Sequence, residues 1–263
     1  MRKYLALIKT VFQDEFEYPA GILYWVVLDL IPLVIMFYLW LVVYRTNTKI
    51  GDLSLNSMIT YYFLMFIIFR LHAHSAFWLS DLIKKGNIVG ILLKPFSFLS
   101  YVIYRTFTRK WISSAISLPV IILAVILLKD FIIFPKSIFY LTAFLISLLL
   151  SMAIFILIGI ILGLVSFWTM EIGGLYYFCY NIMGFLGGLY LPLSLFPEKL
   201  AKILNFLPFY YLYYFPANIY LNQISFDKII IGFGISSLWL ILLFFSYKII
   251  WHFGLKQYES FGN

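Results

Sequence analysis

The chain has 263 residues, of which 64% are hydrophobic, 21% aromatic and only 11% charged, with a mean hydropathy of +1.00. Soluble domains carry about 25% charged residues, so a water-soluble globule is excluded and the sequence reads as an all-α integral membrane protein. The formal charge of +8 forms no basic stripe interleaved with stacking aromatics, which argues against nucleic acid as a partner and for basic loops on one membrane face.

Residues 1–19 begin with an apolar patch too short for a signal peptide, followed by Asp14, Glu15 and Glu17. Leu5, Ile8, Phe12 and Phe16 recur at helical spacing, which predicts a helix lying in the membrane interface and ended by Pro19. A crossing needs about 20 apolar residues. The first predicted span covers residues 20–44, with Asp29 and Pro32 inside it, and the second covers 56–79, with Arg70, His72 and His74. Residues 80–110 form a loop between the second and third spans. It is predicted to hold an amphipathic helix over 81–93, stopped by Pro95, and a second helix that brings Arg105, Arg109 and Lys110 to the headgroups before Trp111.

The third span covers 111–128. The fourth starts near Ser137 and meets no charge before Glu171, so it is tilted or protrudes. The fifth covers 172–195 and the sixth 229–250. Between them, residues 191–228 are greasy enough for lipid yet are interrupted by Pro192, Pro197, Pro208 and Pro216. No fixed-period repeat or separate soluble domain interrupts this single membrane domain.

Six spans put both termini on one side. With that side cytoplasmic, eleven basic residues lie inside: Arg2, Lys3, Lys9, Lys84, Lys85, Lys94, Arg105, Arg109, Lys110, Lys248 and Lys256. Seven lie outside: Arg45, Lys49, Lys129, Lys136, Lys199, Lys202 and Lys228. The bias favours cytoplasmic termini, with the 80–110 loop supplying most of it. The proline-broken segment is then extracytoplasmic. It is expected to dip into the outer leaflet as a re-entrant cap, with a surface-lying Tyr-rich loop as the other reading.

Intramembrane charge is expensive and usually faces a partner or a wet cavity. An Asp29–Arg70 pair is therefore expected to tie spans one and two or to line a substrate path; the other reading is that both snorkel. His72 and His74 are two apart, which is poor metal-ligand spacing on a helix and suits cavity-lining residues better. Cys179 has no partner cysteine in the sequence. Gly159 and Gly163 form one GxxxG pattern, and Gly184 and Gly188, beside Gly187, form another. Such patterns let backbones approach closely, either at a subunit interface or within the bundle. The sequence holds no GxxxxGK[ST] phosphate loop, no HExxH and no GxSxG elbow, so no catalytic site is visible.

Three stretches carry a resemblance. GNIVGILLKPFSFLSY places Gly86, Leu92, Leu93, Pro95, Ser97 and Tyr101 on a G-x-x-x-x-x-LL-x-P-x-S-x-x-x-Y pattern. The outer segment places Pro192, Leu193, Phe196, Pro197, Leu207, Pro208, Phe209 and Pro216 on PL-x-x-FP and LPF-x-x-x-x-x-P elements. The tail places Gly254, Leu255, Tyr258, Ser260 and Gly262 on a G-L-x-x-Y-x-S-x-G ending. Together these resemble ABC-2-type permeases, the membrane subunits of ABC exporters.

The resemblance implies a coupling helix in the 80–110 loop that contacts a separate ATPase subunit, here through Asp81, Lys84, Lys85, Gly86, Asn87, Leu92, Leu93, Lys94 and Pro95. It implies a complex of two ATPases and two permeases, the second identical or homologous, with ATP and Mg held on the ATPases and no cofactor on this chain. In that frame Gly184, Gly187 and Gly188 are expected at the subunit interface. Pro192, Pro197, Pro208, Phe209 and Pro216 are expected at the outer gate, and Asp29, Arg70, His72 and His74 along the path. The implied function is export of an amphipathic or apolar substrate across the plasma membrane by alternating access. The alternative is a proton-coupled secondary transporter using Asp29, Arg70, His72 and His74.

Overall fold

The computed structural model describes residues 8–13, 19–46, 49–51, 53–169 and 171–261. Among them every regular element is helical, and the one extended contact is an isolated bridge between Ile50 and Leu53. The helices are α1 (Pro19–Val43), α2 (Leu55–Leu71), α3 (Ala76–Lys84), α4 (Ile88–Leu92), α5 (Phe98–Leu127), α6 (Ile138–Leu164), α7 (Gly173–Gly187), α8 (Glu198–Leu204), α9 (Tyr214–Tyr220) and α10 (Phe226–Phe261). Among the described residues, four segments are long and apolar enough to cross a membrane: Leu55–Lys84, Phe98–Leu127, Ile138–Phe167 and Phe226–Tyr258. α1 contributes the apolar stretch Leu30–Val43.

These segments divide into centre and periphery. The α6 and α2–α3 segments bury 61% and 67% of their most apolar windows inside the protein, against 11% and 17% for α5 and α10. The outer pair leaves apolar stripes uncovered, among them Leu118, Ile122 and Ile126 on α5 and Ile241, Phe245 and Ile249 on α10. Against lipid tails, which are as apolar as leucine, these stripes carry no penalty.

The structure departs from the predicted elements at five places. The second span is broken: α2 stops at Leu71, residues 72–75 are non-helical, and α3 resumes at Ala76. The 81–93 helix is also divided. The chain leaves α3 through Gly86, whose φ of +73° suits a residue without Cβ, before the single turn and a half of α4. The loop's second helix and the third span are one 30-residue helix, α5. The fifth span is only the 15 residues of α7, about 22 Å long, because Gly188 adopts φ +90° and ends it. Tyr61 donates its hydroxyl hydrogen to the Gly188 carbonyl, and Tyr62 donates to the Tyr190 carbonyl at 2.9 Å, fixing this turn against α2.

The sixth span is longer than predicted. α10 runs 36 residues, about 54 Å, and so extends well beyond one bilayer thickness. The fourth follows expectation, with the 3-10 turn Val165–Phe167 lengthening α6. In the 191–228 segment the prolines sit where short helices can begin. Pro192 and Pro197 precede the turn Leu193–Leu195 and α8, Pro208 opens the turn Pro208–Tyr211, and Pro216 lies in the first turn of α9.

Of the N-terminal interfacial helix, residues 8–13 are helical; Leu5, Asp14, Glu15, Phe16 and Glu17 lie outside the described residues. Val11 is buried in the cluster that holds Leu79, Ile83 and Ile88, whereas Ile8 and Phe12 stay exposed on the predicted apolar face.

Candidate transport site and coupling surface

The break at 72–75 places two histidines in the wall of the bundle. His72 caps α2, its backbone N–H bonding to the carbonyls of Ile68 and Phe69, and its side chain is wholly buried. Its ring stacks on Phe155 with centroids 4.3 Å apart and meets Tyr213 edge-on at 4.9 Å. His72 Nε2 lies 2.8 Å from Ser151 Oγ, and Ser151 in turn donates to the Leu212 carbonyl at 2.7 Å. A hydroxyl has one hydrogen, so Ser151 must accept from His72, which fixes the Nε2–H tautomer. His72 Nδ1 is buried without a hydrogen-bond partner among the described residues.

His74 turns the other way. Its Nδ1 lies 2.7 Å from the Tyr176 hydroxyl on α7, with Phe155 and Tyr180 at ring distances of 5.2 and 5.4 Å. His74 itself is exposed, as are Phe77, Tyr177 and Phe178. The two histidines thus share Phe155 but have separate hydrogen-bond partners, and the described residues contain no metal-competent group of His, Cys, Asp and Glu.

Arg70 is buried to 4% exposure near the end of α2. Its guanidinium donates to the Ser113 carbonyl and hydroxyl at 3.3 and 3.2 Å and to the Ser117 hydroxyl on α5. Ser114 returns a hydrogen bond to the Arg70 carbonyl at 3.3 Å. Hydrogen bonds compensate part of the cost of holding a charge among apolar helices. The side chain of Asp29, its expected ion partner, lies outside the described residues.

The outer segment reaches this region. Leu212, between the Pro208 turn and α9, accepts from Ser151, which stands midway along α6. At Gly187 an added Cβ would lie 2.7 Å from the Phe209 carbonyl oxygen, and at Gly188 the same distance from the Tyr61 hydroxyl. At Gly184 it would meet the Tyr190 ring at 2.7 Å. The close-approach faces of all three glycines are therefore filled by the chain's own outer segment and α2. Gly159 and Gly163 likewise receive Ser75 and Leu79, so the first GxxxG pattern packs α3 onto α6. Pro192, Pro208 and Pro216 are buried, Phe209 is half-buried and Pro197 is exposed.

The loop residues gather at the end of the bundle that also holds residues 8–13 and the tail of α10. Ile88 and Ile91 are buried on Phe98, Tyr101 and Val102, while Val89, Leu92 and Leu93 point away, Leu93 being 83% exposed. Asp81, Lys84, Lys85, Asn87, Lys94 and Pro95 are also exposed, and Gly86 is half-buried. Lys85 lies 3.5 Å from Asp81, an exposed pair of little energetic weight. Lys94 Nζ sits 4.9 Å from the centre of the Tyr101 ring, and Arg105 lies 4.1 Å from that of Trp78.

The tail braces this knob. Trp251 stacks on Phe98 at 4.0 Å, the Phe167 ring takes the space a Cβ on Gly254 would need, and the Tyr258 hydroxyl closes under Gly86. Two of the separated sequence patterns, the loop and the tail, thus meet in one packed unit.

A family model described as "ABC-2 family transporter protein" matches residues 30–262. The chain belongs to the ABC-2 transporter family. No curated protein matches it. Membership accounts for a long apolar helical chain without a phosphate loop of its own, and it favours transport by a membrane subunit of an ABC system over the proton-coupled alternative. Sequence reasoning singled out the histidines and Arg70 of this ABC-2 protein but missed Ser113, Ser117, Ser151 and Tyr176, which hold them. The signal was present: Ser113 and Ser117, like Ser147 and Ser151, are polar pairs four apart in otherwise apolar helices.

Proposed function

We propose that the chain is the membrane subunit of an ATP-driven exporter in the plasma membrane, with six spans and both termini cytoplasmic. The observation that carries this reading is the exposed Val89–Leu92–Leu93 knob, braced by the tail and surrounded by basic residues at one end of the bundle. Such a rigid apolar projection suits the groove of a partner protein. The partner is an ABC ATPase, present twice, which binds ATP and Mg²⁺; a second permease, identical or homologous, completes the complex. The chain itself is not catalytic.

In this mechanism, closure of the ATPases pushes α3, α4 and Gly86, and the permeases rock between inward- and outward-facing states. Nucleotide drives export only if the cargo binds the two states with different affinity. Arg70, His72, His74 and Asp29 line the path for an amphipathic or apolar cargo, the outer prolines and Phe209 shape the exit, and the re-entrant segment caps it. α7 contributes its uncovered side, with Tyr177, Phe178 and Phe185, to the permease–permease contact. Gly184, Gly187 and Gly188 support that contact from behind by seating the outer segment.

The double substitution Leu92→Asp with Leu93→Asp should release the ATPase on co-purification while the permease stays monodisperse, since both side chains are exposed. Retention of the ATPase would refute the coupling assignment. Single cysteines at Leu93 and Lys199 should react with an impermeant thiol reagent from opposite sides, the first only from the cytoplasm. Same-side labelling would overturn the topology.

A further inference from the structure

A cavity of about 760 Å³ opens between the outer segment and α10. Its size falls within the range of ligand pockets, about 300–1,000 Å³. It is the place where α8, the Pro208 turn and α9 fail to close against the first three turns of α10, and none of the residues discussed as path, gate or coupling surface explains it.

Its chemistry is one-sided. The ionisable groups among the described lining residues, phenols aside, are Lys202 and Lys228, both cationic, with no carboxylate among them. Asn205, Asn218 and Gln223 add amide groups. Lys202 pairs with Glu198 at 2.6 Å, but both side chains are more than two-thirds exposed, and such a pair exchanges readily. Lys228 has no ion pair among the described residues. Much of the remaining lining is apolar: Phe215 and Ile224 contribute, as do Ile231 and Ile235 one and two turns beyond Lys228 on α10, and Phe206 and Ile231 are 68% and 60% exposed. Two ammonium groups beside a greasy wall repel cations and leave a soluble anion half in contact with hydrocarbon.

We propose that this cavity binds an anionic amphiphile, with its acidic headgroup between Lys202 and Lys228 and its chain along Ile231 and Ile235. The location of the cavity in the outer leaflet rests on the topology proposed above; the binding chemistry rests on the lining alone. A phospholipid resident in the bilayer and a transported amphiphile share this chemistry.

Native mass spectrometry of the full chain, titrated with dioleoyl phosphatidylglycerol and with the matched phosphatidylcholine, tests it. The anionic lipid should bind about tenfold more tightly than the zwitterionic one, and Lys202→Gln with Lys228→Gln should erase most of that preference. A control double variant, Lys199→Gln with Lys256→Gln, removes the same charge elsewhere and should keep it. Equal binding of the two lipids to the unaltered chain, an unchanged preference in the cavity variant, or equal loss in the control would overturn the proposal. In vesicles with the ATPase present, ATP-dependent appearance of labelled phosphatidylglycerol in the outer leaflet would mark the occupant as cargo. A site occupied equally with and without ATP would mark it as a resident lipid. Lipid preference is read without ATPase, so its failure leaves the coupling assignment standing, and loss of ATPase binding leaves the lipid site standing.

Discussion

Gly163→Ala is expected to destabilise the protein by about 1–3 kcal/mol, read as a lower unfolding temperature in detergent, and Gly163→Leu by more. An added Cβ at Gly163 would stand 2.7 Å from Leu79 Cβ and 3.0 Å from the Ala76 carbonyl oxygen. Neither atom is the end of a flexible side chain, so α3 as a whole must move off α6. Because α3 leads directly into Gly86 and α4, that movement shifts the knob, and ATP-driven transport should fall further than folded yield. Two other glycines calibrate the result. Gly159→Ala meets the Ser75 hydroxyl at 2.9 Å, which can turn aside, so its effect should be smaller. Gly90→Ala in α4 meets nothing within 4 Å and should be neutral or slightly stabilising, since alanine favours helix by about 1 kcal/mol over glycine. Similar losses at all three sites would contradict the packing argument.

The parts of this fold that were legible in the sequence are those decided by local composition. α6 was readable because nothing polar enough to stop it lies between Ser137 and Glu171, and the outer segment because proline dictates short helices. The break at residues 72–75 was not readable. His72-Ala73-His74-Ser75 contains no glycine or proline, and the interruption depends on partners distant in sequence: Ser151 and Phe155 hold His72, and Tyr176 holds His74. Gly86 and Gly188 carried the opposite kind of signal. Each is a left-handed helix stop, but each lies in a continuous apolar or amphipathic run that favours a longer helix. For the site, single polar residues in apolar helices were visible as candidates. Their pairing was not, because it depends on which faces α2, α5, α6 and α7 present to one another.

The broken second span and the knob are joined by the nine residues of α3. Its upper end is held at Ser75 and Leu79 by the small residues of α6, and its lower end turns through Gly86 over Tyr258. In the mechanism proposed above, a push at Leu92 and Leu93 reaches the histidines through Gly86 and the nine residues of α3. Unbroken backbone through 72–75 would carry the same push into α2 and the outer turn at Gly188.

Ser151→Ala is expected to be the most damaging conservative change in the bundle. It strands the His72 Nε2–H and the Leu212 carbonyl in a dry interior, each at about 1–3 kcal/mol. The other tautomer offers no escape, because Nδ1 has no partner waiting. His72→Phe keeps the stack on Phe155 and leaves Ser151 bonded to Leu212, so it should cost less. In the His72→Phe background, Ser151→Ala strands only the Leu212 carbonyl. The two changes should therefore be less than additive, with a coupling of about 1–2 kcal/mol in thermal or denaturant unfolding. Strict additivity would mean that histidine and serine do not interact. Transport supplies an independent readout: the Ser151–Leu212 bond joins the middle of α6 to the outer segment, so Ser151→Ala should impair ATP-driven export even at temperatures where the variant remains folded. His72→Phe, which preserves that bond, should retain more activity than Ser151→Ala.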